Sequence, residues 1–335
     1  MRVLVLGGTR FIGPYVVRLL AEQGHDITVF HRGVTETDLP AGVRHVHGDF
    51  ATLAEQAANL RREPPDVVLD MVPFMDKGGH SVIHFRGIVR RAVVVTSCDV
   101  YRAFGRVWRT EPGPADPAPL TEDSPLRTKR AGDLGPEIDY DNIEVERAVA
   151  LNPELPVTIL RLPATHGPGD AQHRLFAYLK RMDDGRPAIL LEESLARWHW
   201  GRGYVENVAA AIALAVQDER ATGRIYNVAE PVAYTEAEWV RRIGDVVGWQ
   251  GEVLAVPTSL LPKDKHVKHD FSQDYSIDSS RIRRELGYAE TVSEDRALHR
   301  TIEWERLNPP GTGFPQPDYR TEDATLAALR RGISS

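Results

Sequence analysis

Three glycines near the start of the chain have the spacing of a phosphate-binding turn. In VLVLGGTRFIG, Gly7, Gly8 and Gly13 lie between a short β-branched run and an amphipathic segment. Glycines at such a junction allow a tight turn and let the backbone approach a pyrophosphate held at the N-terminus of the helix. The trio alone is a weak signal, but the strand before it, the helix after it and a second strand ending about twenty residues on favour binding of a dinucleotide.

The end of the second β-branched run indicates which dinucleotide is bound. The run ends VFHRG, and His31 and Arg32 stand where an NAD-binding protein places a carboxylate for the ribose hydroxyls. A carboxylate repels a ribose 2′-phosphate, whereas a guanidinium pairs with it. The sequence therefore predicts NADP as the cofactor and makes NAD the less favoured one. The alternative is a surface His-Arg pair that binds no ligand.

The elements that would position these residues alternate along the first half of the chain. Short β-branched runs predict strands, and segments of helical spacing separate most of them, which indicates a parallel sheet covered on both faces. The predicted strands are RVLVL, DITVF, VRHVH, DVVLD, AVVVTS and PVTILRL. We therefore predict an α/β fold with a doubly wound parallel sheet (Rossmann fold) in residues 1–160, with returns to the sheet near 203–228.

Two other regions differ from this alternation. After residue 160 helical patterns dominate, so residues 161–335 are predicted to form a smaller, mostly helical substrate-binding region. Residues 107–135 are rich in proline, glycine and charge and predict a long loop. Loops of this length in compact domains are often lids or binding loops, so this one is interpreted either as a cover for the active site or as a solvated insertion.

The glycine loop and the later motifs together resemble the extended short-chain dehydrogenase/reductase family, whose members include nucleotide-sugar epimerases and dehydratases. The resemblance spans nearly the whole chain and implies cofactor contacts from Gly7, Gly8, Thr9, Arg10, Phe11, Ile12 and Gly13. The family loop usually reads GGxGxIG or GGxGxLG, and Arg10 replaces its middle glycine, so we expect Arg10 to contact a phosphate. Asp49 and Phe50 of HGDF match the family position that contacts adenine, although this aspartate is also suited to cap the next helix.

The resemblance also assigns catalytic residues at the end of the fifth strand. VVVTSCDVY resembles the family's SS..VYG segment, which implies Ser97 as the serine that hydrogen-bonds the substrate and places Tyr101 on the aromatic position of the motif. The family mechanism also needs a tyrosine with a lysine four residues later. Residues at that spacing share a helix face, and the ammonium lowers the phenol pKa from about 10.

That lysine is absent from DYDNIEVERAVA in either of two registers. If Tyr140 is the family tyrosine, Glu144 occupies the lysine position and should raise the phenol pKa. If VERAV sets the register, the tyrosine position holds Ile138 and the lysine position Asn142. Three interpretations remain: an enzyme with an atypical proton relay through Tyr140, Tyr101 or Ser97 and water, a non-redox enzyme on the same fold, or a nucleotide- or RNA-binding protein without catalysis. GGTRFIG resembles atypical branches of the family, some of which are described as RNA-associated.

Later motifs imply where a substrate binds. RLPATHGPGDAQHR, ARWHWGRGYVENVAAAI and DSSRIRRELGY each resemble a segment of the family's substrate region. On this resemblance, polar substrate contacts are expected from His166, Gln172, Arg174, Arg202 and Arg281. The arginines suit an anionic group, because a guanidinium binds phosphate or carboxylate bidentately. We predict an NAD(P)-dependent oxidoreductase, epimerase or dehydratase acting on a polar small molecule such as a nucleotide sugar.

Charge and composition narrow the remaining function classes. A net charge of −7 gives no electrostatic footprint for nucleic acid or an acidic membrane, and no window approaches the eighteen or so apolar residues of a spanning helix. With one cysteine and no secretory pattern at the start, we expect a cytoplasmic protein with a small-molecule partner, no membrane and no nucleic acid. The resemblance implies a homodimer. The pairs His80 with His84 and His266 with His269 lack a third ligand at motif spacing, so no metal is expected.

Overall fold

The computed structural model describes residues 1–35, 37–60, 63–73, 81–129, 141–152, 154–263 and 266–333. The strands in these ranges are β1 (Arg2–Leu6), β2 (Asp26–His31), β3 (Arg44–His47), β4 (Val67–Asp70), β5 (Arg91–Ser97), β6 (Val157–Leu162), β7 (Ala164–His166), β8 (Ala188–Glu192), β9 (Arg202–Tyr204), β10 (Ile225–Asn227) and β11 (Glu252–Val256). The α-helices are α1 (Ile12–Glu22), α2 (Leu53–Asn59), α3 (Arg102–Val107), α4 (Asn142–Ala150), α5 (Phe176–Asp183), α6 (Glu193–Arg197), α7 (Val205–Gln217), α8 (Glu236–Val247), α9 (Ser280–Leu286), α10 (Glu294–Leu307) and α11 (Tyr319–Ile333).

Seven of these strands form a parallel sheet in the order β10-β6-β5-β4-β1-β2-β3. The chain moves outward from β1 to β3, returns to β4 beside β1, and then moves outward on the other side through β5, β6 and β10. This reversal of direction between β1 and β4 is the feature that places a ligand crevice at the carboxyl ends of the strands. The predicted doubly wound parallel fold is confirmed.

Both faces of the sheet are covered, which is why its inner strands are apolar runs. Every residue of β4 and β6 is buried. One face packs against α1 and the alanine-rich α7, whose small side chains are almost all buried. The other face packs against residues of α2, the short 3-10 turn Ser81–Phe85 and α4. The edge strand β3 differs, because all four of its residues are exposed.

The C-terminal part of the chain adds smaller units to this sheet. α7 packs on the large sheet and β10 belongs to it. β8 and β11 form a separate two-stranded parallel sheet, and α5, α8 and α10 contribute to a core that this sheet shares. β7 and β9 form a third, short pair. Among the described residues, no helix combines the length and apolar character that crossing a bilayer requires.

The predicted long loop is described as far as residue 129, and its contacts hold it against residues 270–278. The Asp116 carboxylate accepts hydrogen bonds from Arg102 and from Arg106 Nε (2.9 Å), and its backbone amide donates to Gln273 Oε1 (2.7 Å). Leu120 is buried, and its amide donates to the Ser276 carbonyl (2.8 Å). The loop is therefore packed onto the C-terminal half of the chain along much of its length.

Candidate functional site

A cavity of about 430 Å³ opens at the carboxyl ends of the central strands. It lies where the direction of the sheet reverses, beside β1 and β4, and its volume is that of a small-molecule site. The lining residues are Gly7, Gly8, Thr9, Arg10, Phe11, Ile12, Gly13, His31, Arg32, Val34, Thr35, Phe50, Met71, Val72 and Val95. The structure thus brings together every residue predicted to bind the cofactor except Asp49.

The glycine loop leaves room that side chains would fill. Gly7 and Gly8 have φ angles of 84° and 89°, in the left-handed region that favours glycine. A Cβ atom at Gly13 would lie 2.4 Å from the Cα of Gly8, so only glycine lets α1 begin this close to the loop. Only the backbone of the glycine loop therefore lies between the N-terminus of α1 and the cavity. This arrangement suits the binding of an anionic group such as a pyrophosphate.

The cavity wall at the end of β2 is formed by cationic and neutral groups. His31 is buried, Arg32 is exposed, and the Arg10 guanidinium donates from Nε and Nη2 to Thr35 Oγ1 at 2.9 and 2.7 Å. Of the described residues that line the cavity, none is aspartate or glutamate. This wall is electrostatically suited to a phosphate rather than to a pair of ribose hydroxyls.

Asp49 and Phe50 serve two different purposes beside this wall. The Asp49 carboxylate accepts a hydrogen bond from the Ala51 amide (2.8 Å) and caps the short turn Phe50–Thr52. The Phe50 ring lines the cavity and packs edge-on against Phe30, with ring centroids 5.4 Å apart. Of the two roles considered for Asp49, the structure shows the capping role. Phe50 supplies a flat apolar surface to the cavity.

Ser97 ends β5 and lies two residues beyond the cavity-lining Val95. It is half-buried, and its Oγ accepts a hydrogen bond from the Asp99 amide at 3.2 Å. Tyr101 lies deeper: it is fully buried, its hydroxyl donates to Asn227 Oδ1 (2.6 Å) and accepts from Arg161 Nη1 (3.0 Å). Burial raises the Tyr101 pKa well above its usual range. The structure places this phenol in the core, away from the cavity, and Tyr140 lies outside the described residues.

Asn142, at the position that one register assigns to the missing lysine, contacts Asp99, two residues after Ser97. It begins α4, is buried, and donates from Nδ2 to both carboxylate oxygens of Asp99 at 3.1 and 3.2 Å. Glu144 points elsewhere, because its carboxylate accepts a hydrogen bond from Arg147 at 2.9 Å on the exposed side of the helix. Of the two candidate lysine positions, the one that contacts Asp99 therefore holds an amide, and the one that holds a carboxylate pairs with Arg147.

Asp99 is a functional candidate that the sequence alone did not single out. Its side chain is only 19% exposed, and Arg127 Nη2 lies 3.9 Å from its Oδ1. Burial raises the pKa of this carboxyl, while Arg127 and Asn142 act in the opposite direction. In the sequence, the position of Asp99 two residues after Ser97 was the available signal for a functional role. The contact with Asn142 gives no such signal, because the two residues are 43 positions apart.

A buried ion pair fixes α4 beside this group. Arg161 of β6 donates to the Glu146 carboxylate from Nε at 2.9 Å and from Nη2 at 2.6 Å. The hydroxyl of Thr96, next to Ser97, donates to the same carboxylate at 3.0 Å. The pair thereby links β5, β6 and α4, and so determines where Asn142 stands relative to Ser97.

Three of the five predicted substrate residues surround a second, much smaller cavity of about 20 Å³. His166, Arg174 and Arg202 line it together with Glu236 and Trp239. The Arg202 guanidinium is buried, donates to Glu236, and lies 4.7 Å from the centre of the Trp239 ring. Arg174 is likewise paired, with Asp170 at 2.7 Å. Both guanidiniums therefore already have carboxylate partners within the protein.

The other two predicted substrate residues lie apart from this cavity. Gln172 is exposed in the turn before α5, where its backbone amide donates to Asp170 Oδ1 at 3.0 Å. Arg281 on α9 donates to Asp123 in the long loop at 2.5 Å. Arg281 is therefore one of the contacts that hold the loop against the C-terminal half.

His166 and Glu230 form an unusual buried pair next to the smaller cavity. His166 Nδ1 lies 3.2 Å from Thr301 Oγ1, and burial lowers the His166 pKa to about 3. Glu230 accepts a hydrogen bond from the Tyr204 amide (3.0 Å), and burial raises its pKa to about 7. The two side chains approach to 4.0 Å. Between these pKa values both groups are neutral, so the contact is not an ion pair in mildly acidic solution.

The sequence of this chain is similar to a known protein family and to several known proteins. A sequence profile of the NAD dependent epimerase/dehydratase family matches residues 3–83 and 142–229, which is half of the chain. A 2′-dehydrokanamycin reductase of Streptomyces kanamyceticus is 28% identical over 264 residues, covering 77% of this chain and 70% of that protein. The chloroplast stem-loop binding protein of 41 kDa b of Arabidopsis thaliana is 22% identical over 240 residues, covering 68% of this chain and 58% of that protein.

A solved structure shows the same fold. The UDP-glucose-4-epimerase of Stenotrophomonas maltophila, with bound NAD and formylated UDP-arabinopyranose, superimposes with a TM-score of 0.67 at 19% identity. The match covers 92% of this chain and 98% of that chain. The family profile leaves out residues 84–141, which include Ser97, Tyr101 and the long loop. The profile match thus covers the phosphate loop and α4 but not the segment that carries the serine.

Proposed function

Because the chain belongs to the NAD dependent epimerase/dehydratase family, we propose that it is an NADP-dependent oxidoreductase, epimerase or dehydratase that acts on a polar small molecule of the nucleotide-sugar or keto-sugar class. The observation that supports NADP is the wall at the end of β2, where His31, Arg32 and Arg10 line the cavity and none of the other described lining residues is acidic. When bound, such a dinucleotide supplies hydride-transfer chemistry at its nicotinamide.

Different residues of the chain would bind different parts of this cofactor. The loop from Gly7 to Gly13 and the N-terminus of α1 would bind the pyrophosphate through backbone amides. Phe50 would pack against the adenine. Arg32, which is exposed at the rim, would pair with the 2′-phosphate, and Arg10 would join it by exchanging its contact with Thr35.

Proton transfer in this enzyme would follow an atypical route. Ser97 would donate its hydroxyl hydrogen to the substrate oxygen, and Tyr140 is the proposed proton carrier. No ammonium stands at Asn142 to lower a phenol pKa, so we propose that water completes the relay. Asp99 and Asn142 would hold the end of β5 and the start of α4 together around this route.

The proposed partners follow from the family resemblance and the charge. The substrate would contact the C-terminal part of the chain, where Gln172 and the edge of Arg174 are accessible. We propose a homodimer on the family resemblance, to be measured by sedimentation. The net charge of −7 argues against nucleic acid and acidic membranes as partners.

Calorimetric titration of the purified protein with NADPH and with NADH tests the cofactor assignment. We expect NADPH to bind more tightly, and Arg32→Asp to weaken NADPH binding at least tenfold while sparing NADH, because a carboxylate repels the 2′-phosphate. Arg241→Asp, at an exposed position on α8 remote from the cavity, is the matched control for charge. Equal affinity for both cofactors, or an Arg32→Asp variant that still prefers NADPH, would refute the assignment.

Turnover is then measured with panels of nucleotide sugars and keto-sugars. NADPH absorbance reports net reduction, whereas chromatography of the sugar product reports epimerisation or dehydration, in which the hydride returns to the sugar and the cofactor is unchanged. Ser97→Ala should lower the rate about a hundredfold if its hydroxyl stabilises developing charge on the substrate oxygen. Near-normal turnover of this variant would remove the proposed role of Ser97.

A nucleotide- or RNA-binding protein without catalysis is the second candidate function. It is favoured by Asn142 at the lysine position and by the likeness to a stem-loop binding protein. Salt-sensitive binding of a stem-loop RNA, together with no turnover on either panel, would support this candidate over the enzyme.

A further inference from the structure

Three histidines lie side by side where β2 and β3 end. His31 and His47 are directly opposite each other in the parallel register of the two strands. His45 precedes His47 by two residues, and alternate residues of a strand project from the same face. The three imidazoles consequently share one face at the edge of the sheet. One potential ligand nitrogen from each lies within 4.8 Å of the other two.

The distances between these rings are close to those around a bound metal ion. His31 Nε2 lies 3.0 Å from His45 Nδ1, and the His31 and His47 ring centroids are 4.7 Å apart with the rings nearly perpendicular. Nitrogens bound to one tetrahedral zinc at 2.0–2.1 Å would be about 3.4 Å apart. The triad therefore needs a contraction of about 1.5 Å at most, and the exposed rings of His45 and His47 can supply it by rotation.

His31 provides the fixed member of the group. It is buried, and the Gly33 amide approaches its Nδ1 at 3.3 Å, which directs Nε2 toward His45. A metal ion on Nε2 would take the place of the proton that this nitrogen shares with His45. The proton of the neutral ring would then be on Nδ1, at the expense of the long Gly33 contact.

We propose that His31, His45 and His47 form a binding site for one divalent transition-metal ion of the zinc class. Imidazole ligands suit Zn²⁺, Co²⁺, Ni²⁺ or Cu²⁺, whereas Mg²⁺ and Ca²⁺ require oxygen ligands. Three protein ligands leave a fourth position for water or another small ligand. The proposal does not rest on the proposed enzymatic activity, although the site shares His31 with the larger cavity.

The test uses the untagged full chain after treatment with a chelator. Titration with Zn²⁺ in a calorimeter should show one equivalent per chain, and Co²⁺ should give the intense visible absorption of a tetrahedral ion. The variant His45→Ala/His47→Ala should lose at least tenfold in affinity for both ions. His299→Ala, which removes an exposed histidine on α10, should bind the ions like the wild type.

Two controls distinguish a loss of metal binding from a loss of the fold or of NADPH binding. Neither His45 nor His47 lines the cofactor cavity, so NADPH binding and thermal unfolding report whether the double variant is folded. Absence of stoichiometric Zn²⁺ binding by the wild-type chain would overturn the proposal. Unchanged ion affinity in a folded double variant would overturn it equally, whatever the outcome of the NADPH titrations.

Discussion

Changing Glu230 to glutamine should make the protein more stable at pH 8 and leave its stability nearly unchanged at pH 4.5. The reason is that burial raises the pKa of this carboxyl from 4.5 to about 7. In the folded chain Glu230 keeps its proton between these values, whereas the unfolded chain has released it. A group with a raised pKa stabilises the fold below its unfolded pKa, and this contribution is lost as the pH rises through the folded value.

The size of this stability difference follows from the pKa values of Glu230 in the unfolded and folded chains. The difference between 4.5 and about 7 corresponds to about 3 kcal/mol of unfolding free energy between pH 4.5 and pH 8. Glutamine retains the oxygen that accepts the Tyr204 amide and removes the titration. Burial lowers the pKa of the neighbouring His166 to about 3, so this ring stays neutral in the folded state of both proteins, and its titration in the unfolded chain is common to both. The difference between variant and wild type therefore isolates Glu230.

Urea unfolding at pH 4.5, 6 and 8, followed by circular dichroism, measures this difference. We expect the variant's advantage to grow with pH toward about 3 kcal/mol. Glu303→Gln, which changes an exposed glutamate on α10, is the control for a substitution of the same kind. An advantage of the Glu230 variant that is the same at all three pH values would refute the reasoning, because it would show that the folded carboxyl does not hold a proton.

Three further substitutions test the site. Gly13→Ala should raise the NADPH dissociation constant at least tenfold in calorimetry, because its Cβ would lie 2.4 Å from a backbone atom of the glycine loop; unchanged affinity would mean that the loop is not the phosphate site. Glu146→Ala should lower the free energy of unfolding by about 3–5 kcal/mol in urea, since it leaves the buried Arg161 unpaired, and Glu146→Leu with Arg161→Met should recover most of that loss. Asn142→Leu should destabilise the fold by about 1–3 kcal/mol because Asp99 loses its amide donor, and a loss that persists when Asp99 is also changed to asparagine would argue against this cause.

The sheet and the phosphate loop could be predicted because their signals are local. Each predicted strand is a short apolar run, and strands buried on both faces have that composition wherever they stand in the sheet. The glycine turn is equally local, since the positive φ angles and the close contact with Gly13 involve residues within seven positions. The N-cap of α8 depends on an equally local pattern, because Thr235 and Glu238 form a capping box.

The side-chain environment of the site could not be predicted because it depends on distant residues. Tyr101 and Arg202 have polar side chains, yet both are buried by partners from elements far along the chain. The sequence gives no means of telling that a phenol bonds Asn227 or that a guanidinium bonds Glu236. The histidine triad is a similar case: its members come from two strands, and only the register of β2 and β3 brings His31 beside His47.

Local turns explain the differences in element boundaries. The segment QHRLFAYLKRMDDG has helical spacing, but α5 begins only at Phe176. His173 has a φ of 49°, and the Asp170 carboxylate accepts from backbone amides in this turn, which together delay the helix. Likewise, the segment around His84 forms only a short 3-10 turn, Ser81–Phe85.

The edge strand β3 also bears on how copies of this chain can associate. An open sheet edge is a template for adding a strand from another molecule, and natural proteins protect such edges by making them short and charged. β3 is four residues long, and its Arg44 pairs with Asp26 on β2 at 3.1 Å. Strand addition at this edge is thereby disfavoured, and a closed dimer would have to use another surface. The same protection should limit aggregation through this side of the sheet while the chain is folding.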